Sequence, residues 1–248
     1  MSHPKELYFF TEQVNWSKGL DWYKSWFSDS AKIRGESTTI YTAYPNFNGV
    51  AERMHATLPE AKLIYLVRDP IDRLLSHYSM YTIDGSENRT LAGALQDPKS
   101  KGYIDRSRYF MQLEQYLAYY PASSILVIKQ EALRNYRRET LRRIFKFLGI
   151  DPNFYDLRFG WERNRTNHRR RKTKTGLWLE ETSPMRLLQR IPAHLRWPIE
   201  DLVYWPFSHS VKRPLVDDSL LQGIREYLRG DVNRLRAFTG ESFEEWSV

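Results

Sequence analysis

The sequence predicts an α/β fold in which a mostly parallel sheet lies between two layers of helices. Two short apolar segments, 63–67 (LIYLV) and 124–129 (SILVIK), are typical of buried strands, and 32–37 (KIRGES) is a weaker third. Amphipathic segments separate them. Strands that alternate with helices are joined by crossovers, which favours a three-layer parallel sheet. Ligands of such sheets bind beyond the carboxyl ends of the strands, where Arg68 is expected.

The amphipathic segments are predicted helices. Residues 47–59 and 106–121 repeat apolar side chains at three- and four-residue spacing, and the second segment stops at a proline. Residues 137–151 place four apolar side chains on one face before Gly149, which predicts a helix end. The tail, 217–240, is predicted to form a broken pair of helices.

A further helix is predicted immediately after the strand at 63–67. Asp69 can accept a hydrogen bond as the N-cap residue, and Pro70 suits the first helical position. The following apolar residues share one helical face: Ile71, Leu74, Leu75 and Tyr78.

Arg68 and Ser76 could bind one tetrahedral anion between the strand end and this helix. Ser76 lies two helical turns after Asp69, and an arginine can grip an anion with two parallel hydrogen bonds. The alternative is structural: Arg68 pairs with Asp69 or Asp72, and the serine packs against a neighbour.

Composition limits the class of protein. A chain of 248 residues with 41% hydrophobic content fits one domain, with a core at 1–150 and a basic region with C-terminal helices at 151–248. No apolar run is long enough to span a membrane, and the N-terminal residues lack the features of a signal peptide. Without cysteine, a reducing compartment, the cytoplasm, is predicted. The six histidines have no metal-ligand spacing, so we predict no metal site.

The net charge of +8 favours an anionic partner. Lysine and arginine concentrate in residues 134–147 and 163–176. Nucleic acid, a phospholipid surface or a phosphorylated or sulfated ligand would all suit this charge, and a solvated basic face is the alternative for each run.

Six segments, in order, resemble the sulfotransferases that use 3′-phosphoadenosine 5′-phosphosulfate (PAPS), in particular the heparan-type and bacterial carbohydrate enzymes. The segments are KELYFF, GLDWYKSWF, GESTTIY, LVRDPIDRLLSHY, RSRYFMQLEQYLAYYP and LRAFTGESFEEW. The resemblance implies a sulfotransferase fold of the P-loop-nucleotide-hydrolase type. It also implies PAPS as donor and a carbohydrate or small-molecule acceptor that presents a hydroxyl or an amine. Nucleic acid is not favoured as a partner, and an oligomer is compatible with the sequence.

The resemblance also implies roles for individual residues. Arg68 and Ser76 match the residues that hold the 3′-phosphate, and Glu6 matches the general base that takes the acceptor proton. For Glu6 the alternative is a solvated side chain near the terminus.

Three more residues are implied to lie near the nucleotide. Tyr109 matches a position close to the cofactor, with a core tyrosine as the alternative. Arg171 and Lys172 fall in the basic run that matches the loop over the phosphates.

Two departures from the family pattern limit the prediction. A strand, Gly-rich loop and helix that grip the 5′-phosphosulfate should precede Glu6, but only five residues do, and no later segment has this pattern. We therefore expect that the sequence begins inside a longer one, and that a strand of the core sheet has an unpaired apolar edge. Ser37 replaces a lysine that heparan-type enzymes tend to carry. A non-catalytic nucleotide- or polyanion-binding protein on the same fold is the alternative function.

Overall fold

The computed structural model describes all residues except 3, 98–101, 161–169, 181, 183–190, 192 and 211–215. Ten α-helices lie in the described residues: α1 (Gly19–Lys24), α2 (Val50–Thr57), α3 (Pro70–Ile83), α4 (Leu91–Gln96), α5 (Tyr109–Leu117), α6 (Gln130–Asn135), α7 (Arg137–Leu148), α8 (Lys174–Glu180), α9 (Ala193–Tyr204) and α10 (Asp218–Thr239). The strands are β1 (Leu63–Val67), β2 (Ile125–Lys129), β3 (Arg170–Lys172) and β4 (Ser208–Ser210).

These elements divide between two compact units. The first contains Met1–Leu74, Leu95–Phe154 and Asp217–Val248. The second contains Leu75–Ala94 and Tyr155–Val216, so the boundary falls within α3. None of the described helices is both long and apolar enough to cross a membrane.

The first unit holds the parallel pair that the sequence predicts. β1 and β2 pair in parallel from Leu63 opposite Ile125 to Val67 opposite Lys129. Because the two strands end level with each other, the chain leaves both at one edge, and the residues that follow them become neighbours. The α/β class is thereby confirmed. In the second unit β3 and β4 form a short antiparallel pair.

The prediction of a third strand at residues 32–37 is wrong. This segment has irregular backbone and makes two backbone hydrogen bonds to the N-terminal residues: Ser2 N–H to Gly35 O (2.9 Å) and Ser37 N–H to Lys5 O (3.5 Å). Its one large apolar side chain, Ile33, is exposed. A segment that buries no apolar face has little reason to join a sheet.

Helix predictions based on periodicity hold for α2, α5 and α7. α7 ends at Gly149, which adopts the left-handed conformation (φ 75°) expected of a helix stop. The C-terminal prediction is wrong in one respect, because α10 is one helix of 22 residues rather than a broken pair. Its apolar face is buried at Ile224, Leu228, Val232 and Leu235, and this packing outweighs the weak helix propensity of Gly223 and Gly230.

Asp231 of α10 caps a distant helix. Its carboxylate accepts hydrogen bonds from the N–H groups of Phe110 and Met111, both at 2.8 Å, in the first turn of α5. These are donors that a helix cannot satisfy itself. Burial raises the pKa of Asp231, while the two backbone hydrogen bonds act against that rise. This cap fixes the start of α5, where Tyr109 lies.

Candidate functional site

Arg68 occupies the position that the strand pattern predicts. It follows the last residue of β1 and is half-buried, and its backbone N–H donates to the Tyr109 hydroxyl at 3.5 Å. In the part of the chain that the structure describes, the Arg68 side chain forms no ion pair. The structural alternative, a pair with Asp69 or Asp72, is therefore not formed.

Asp69 instead uses its carboxylate and its backbone N–H for three hydrogen bonds in other directions. One carboxylate oxygen accepts from the N–H of Asp72 at 2.8 Å, which is the N-cap contact predicted for α3. The other accepts from the N–H of Ser247 at 2.5 Å. The Asp69 N–H donates to Glu131, just after β2, at 3.0 Å. Asp69 is thus held by its own helix, by the residue range after β2 and by the C-terminal residues.

Tyr109 is buried and reaches the site through the backbone of Arg68. Its ring packs against Tyr65 and Trp246, with ring centroids 5.8 and 5.7 Å away. Burial raises the pKa of Tyr109 to about 12, although the nearby charges of Arg73 and Arg68 oppose the rise. The hydroxyl therefore stays protonated at neutral pH. Tyr109 lies beside Arg68, and its predicted contact with a nucleotide stays a prediction.

A further arginine, Arg73, lies near Arg68, and the sequence analysis gave it no role. Arg73 donates from Nε to the Ser107 hydroxyl at 2.6 Å and also hydrogen-bonds the carbonyl of Tyr103. Burial lowers the pKa of Arg73 to about 10, and the charges of Arg106 and Arg68 contribute to this lowering. The guanidinium groups of Arg68 and Arg73 therefore influence each other beyond β1, and we call this pair the arginine cluster. The sequence feature that could have identified Arg73 is its position one helical turn after Asp69.

Ser76 lies on α3, as predicted, in the part that belongs to the second unit. It is half-buried. Its joint contact with Arg68 on one anion stays a prediction.

Glu6 is part of a fixed cluster near the N-terminus. The Tyr8 hydroxyl donates to one Glu6 oxygen at 2.5 Å, and Lys5 Nζ lies 3.8 Å from the other. The hydrogen bond between Tyr8 and Glu6 is the main reason why the pKa of Tyr8 is raised to about 12. Tyr8 also has a positive φ of 52°, which is strained for a tyrosine and is more frequent at functional sites.

The Glu6 side chain is 26% exposed, so it is not the solvated glutamate of the alternative. Residues that follow it, including Phe9 and Phe10, are buried in the core and hold this segment in place. The described hydrogen bonds and ion pairs of Glu6 lead to its sequence neighbours and do not join it to Arg68.

Glu36 is a second carboxylate that the sequence analysis passed over. One of its oxygens accepts from the Thr38 hydroxyl at 2.7 Å, and the other is buried. Burial, followed by the charge of Glu36, raises the pKa values of Tyr23 and Tyr41 well above the ordinary range. The sequence feature that could have identified Glu36 is its place in GESTTIY, one of the segments that resemble the family.

Arg171 and Lys172 lie in β3, where their backbones pair with His209 and Ser208. The preceding part of the basic run, 161–169, lies outside the described residues. The run therefore stays a predicted cofactor loop. In the described ranges no three histidine or carboxylate side chains are grouped so that they could hold a metal ion.

Known proteins resemble this chain in sequence and in fold. Residues 13–156 match the Sulfotransferase family. A bifunctional heparan sulfate N-deacetylase/N-sulfotransferase of Drosophila melanogaster is 26% identical over 208 residues, covering 73% of this chain and 19% of that protein. Human heparan sulfate glucosamine 3-O-sulfotransferase 5 is 29% identical over 171 residues, covering 62% of this chain and 48% of that protein. The chain thus corresponds to less than half the length of either relative.

A solved structure shows the same fold. The crystal structure of a sulfotransferase from Alicyclobacillus acidocaldarius superposes with a TM-score of 0.66 at 19% identity, and the match covers 98% of this chain and 86% of that one. The family match extends over more than half of the sequence and includes β1, Arg68, α3 and β2. On this evidence, the chain belongs to the sulfotransferase family.

Proposed function

We propose that this protein binds PAPS and transfers its sulfuryl group to a hydroxyl or amine of a carbohydrate or small-molecule acceptor. The observation that carries the proposal is the state of Arg68. Its side chain lies at the carboxyl end of a parallel strand and has no ion pair among the described residues, although Asp69 is its neighbour. Such an arginine is suited to an external anion.

The arginine cluster would bind the 3′-phosphate end of PAPS. Arg68 would bind two phosphate oxygens. The charge of Arg73 adds a positive potential, which attracts a dianion even without direct contact. When bound, PAPS supplies the sulfuryl group for transfer.

Glu6 is proposed as the general base. The acceptor group must lose a proton as it attacks sulfur, and a carboxylate within hydrogen-bond reach can take that proton. The Tyr8 hydroxyl holds one Glu6 oxygen at 2.5 Å, so the side chain is oriented and the other oxygen faces Lys5 at 3.8 Å. Lys5 is a surface lysine, and its long side chain can yield this oxygen to an acceptor.

The relatives make a carbohydrate the first acceptor to test, because their names describe enzymes acting on heparan sulfate. The purified chain should transfer labelled sulfate from PAPS to N-desulfated heparan sulfate or to small amino sugars. Glu6→Gln should lower kcat by about 10²-fold or more, the usual contribution of a general base. Glu12→Gln, at an exposed carboxylate paired with Arg53, is the matched control and should leave kcat unchanged. Equal rates for both variants would exclude Glu6 as the base.

A non-catalytic nucleotide-binding protein is the second candidate. It is favoured by one observation, the lack of a strand, Gly-rich loop and helix pattern within the given sequence. In that case adenosine 3′,5′-bisphosphate would bind and raise the melting temperature, while sulfate transfer would stay at background.

A further inference from the structure

The last nine residues, 240–248, form a segment that we call the C-terminal tail, and it packs against the anion site. Trp246 is buried, with its ring 4.2 Å from Phe243 and 5.7 Å from Tyr109 between centroids. The next residue, Ser247, donates its N–H to Asp69 at 2.5 Å. The tail therefore contacts Tyr109, whose hydroxyl accepts from the Arg68 N–H, and Asp69, which follows Arg68 in the sequence.

Ion pairs also attach the tail to the end of β2. Lys129 lies 2.7 Å from Glu245 and 3.8 Å from Glu241. Burial opposes the ionisation of Glu245, but the hydrogen bond and charge of Lys129 outweigh it and lower the pKa of Glu245. Glu245 is therefore charged at neutral pH, and the Lys129 pair is present under the conditions in which an enzyme would work.

The Asp69 carboxylate is close enough in sequence to compete with a ligand for Arg68, and the tail acts against this competition. A carboxylate next in sequence to Arg68 is an anion attached to the protein itself, and its effective concentration near the guanidinium exceeds that of any dissolved ligand. Both Asp69 oxygens are nevertheless occupied, one by the N–H of Asp72 and the other by the N–H of Ser247. Only the first of these bonds comes from the helix that Asp69 caps.

We propose that the C-terminal tail keeps the anion site open by holding the Asp69 carboxylate away from Arg68. Detachment of the tail would release one Asp69 oxygen, which would then pair with Arg68 and compete with the 3′-phosphate. Ser247, Trp246 and Glu245 are in this sense positioning residues, because they act through Asp69. The inference rests on the proposed function, since it assumes that Arg68 binds the 3′-phosphate.

The test measures the preference for a 3′-phosphate, defined as the Kd for adenosine 5′-monophosphate divided by the Kd for adenosine 3′,5′-bisphosphate. Glu245→Lys turns the contact with Lys129 into a repulsion and should lower this preference about tenfold. The added positive charge alone would favour a phosphate, so a loss cannot come from it. Trp246→Leu tests the same docking through the ring contacts, and Trp246→Phe, which keeps an aromatic ring, should retain most of the preference.

Asp69→Asn provides the decisive readout. Asparagine also caps a helix but carries no charge that could compete for Arg68. Added to Glu245→Lys, it should restore the preference to near the wild-type value. A tail with a merely structural role would give no such rescue.

Arg229→Gln is the matched control, because it breaks an exposed ion pair outside the tail, Arg229 to Glu226 at 3.1 Å within α10. It should leave the preference unchanged. If Glu245→Lys and Trp246→Leu both fold and keep the wild-type preference, or if Asp69→Asn fails to rescue, the inference is wrong while the proposed function stands. A wild-type protein without any 3′-phosphate preference would overturn both.

Discussion

Arg68 and Asp69 show how two neighbouring residues of opposite charge can serve different purposes. Attraction between adjacent charges would favour a local pair, yet Asp69 uses its oxygens to cap α3 and bind the C-terminal tail. A buried N-cap contact satisfies a backbone donor that would otherwise be costly to leave alone. Asp69 therefore stabilises the fold through these two contacts, and the Arg68 side chain stays available for a ligand.

Removal of the Arg68 side chain should abolish stabilisation by adenosine 3′,5′-bisphosphate. Arg68→Ala loses the bidentate contact, whereas Ser76→Ala should weaken binding by ~1–3 kcal/mol, the scale of a hydrogen bond to a charged group. Thermal shift with and without the ligand measures both effects. Arg34→Ala, at an exposed arginine paired with Asp29, should keep the full shift. If Arg68→Ala and Ser76→Ala also keep it, the anion site lies elsewhere.

Sequence reasoning reached Arg68, Asp69 and the helix after them because their signals are local. A strand end, an N-cap and a proline stand next to one another in the sequence. Glu36 was missed for the opposite reason, because the burial of one of its oxygens is a property of the folded core.

At the scale of elements, the two glycines of α10 show where a propensity rule fails. The segment 217–240 was predicted to form a broken pair of helices, yet α10 continues through Gly223 and Gly230, because its apolar face from Ile224 to Leu235 is buried in the core. The strand prediction for residues 32–37 failed for the opposite reason. The segment has a strand-like sequence but no apolar face to bury, and it forms no strand. In both cases burial decided the outcome, and burial is only partly visible in the sequence.

Alanine at either glycine should stabilise the protein. At Gly223 and Gly230 an added Cβ would meet nothing within 4 Å, and alanine reduces the freedom of the unfolded chain. Each substitution should raise the free energy of unfolding by ~0.5–1 kcal/mol in urea denaturation. Gly240→Ala is the contrasting variant, because this residue ends α10 with φ +70° and should be destabilised by a side chain. A loss of stability in Gly223→Ala would argue against a continuous helix there.

At the scale of the whole molecule, the fold of the first unit depends on contacts that no local pattern announces. Asp231 binds α5 from 120 and 121 residues away, and Ser247 binds Asp69 from 178 residues away. The sequence predicts the helices and the parallel strands, but not which side chain closes which helix end. The family resemblance supplied the candidates for the site, and the packing of remote segments supplied its electrostatic surroundings.

The cap that Asp231 places on α5 has a consequence for the exchange of amide hydrogens with solvent. First-turn amides of a helix normally exchange quickly, because no carbonyl of their own helix protects them. Here Phe110 and Met111 are protected by a residue of α10, so their amides can exchange only when α10 moves away. Deuterium uptake at these two amides should therefore rise and fall together with that of the buried turn around Val232.

Asp231→Asn keeps one acceptor and should accelerate uptake at one of the two amides, whereas Asp231→Ala should accelerate both. Fast uptake at Phe110 and Met111 in the wild-type protein, with α10 still protected, would show that the cap is not formed in solution. If the prediction holds, these two amides report on the opening of a helix more than a hundred residues away.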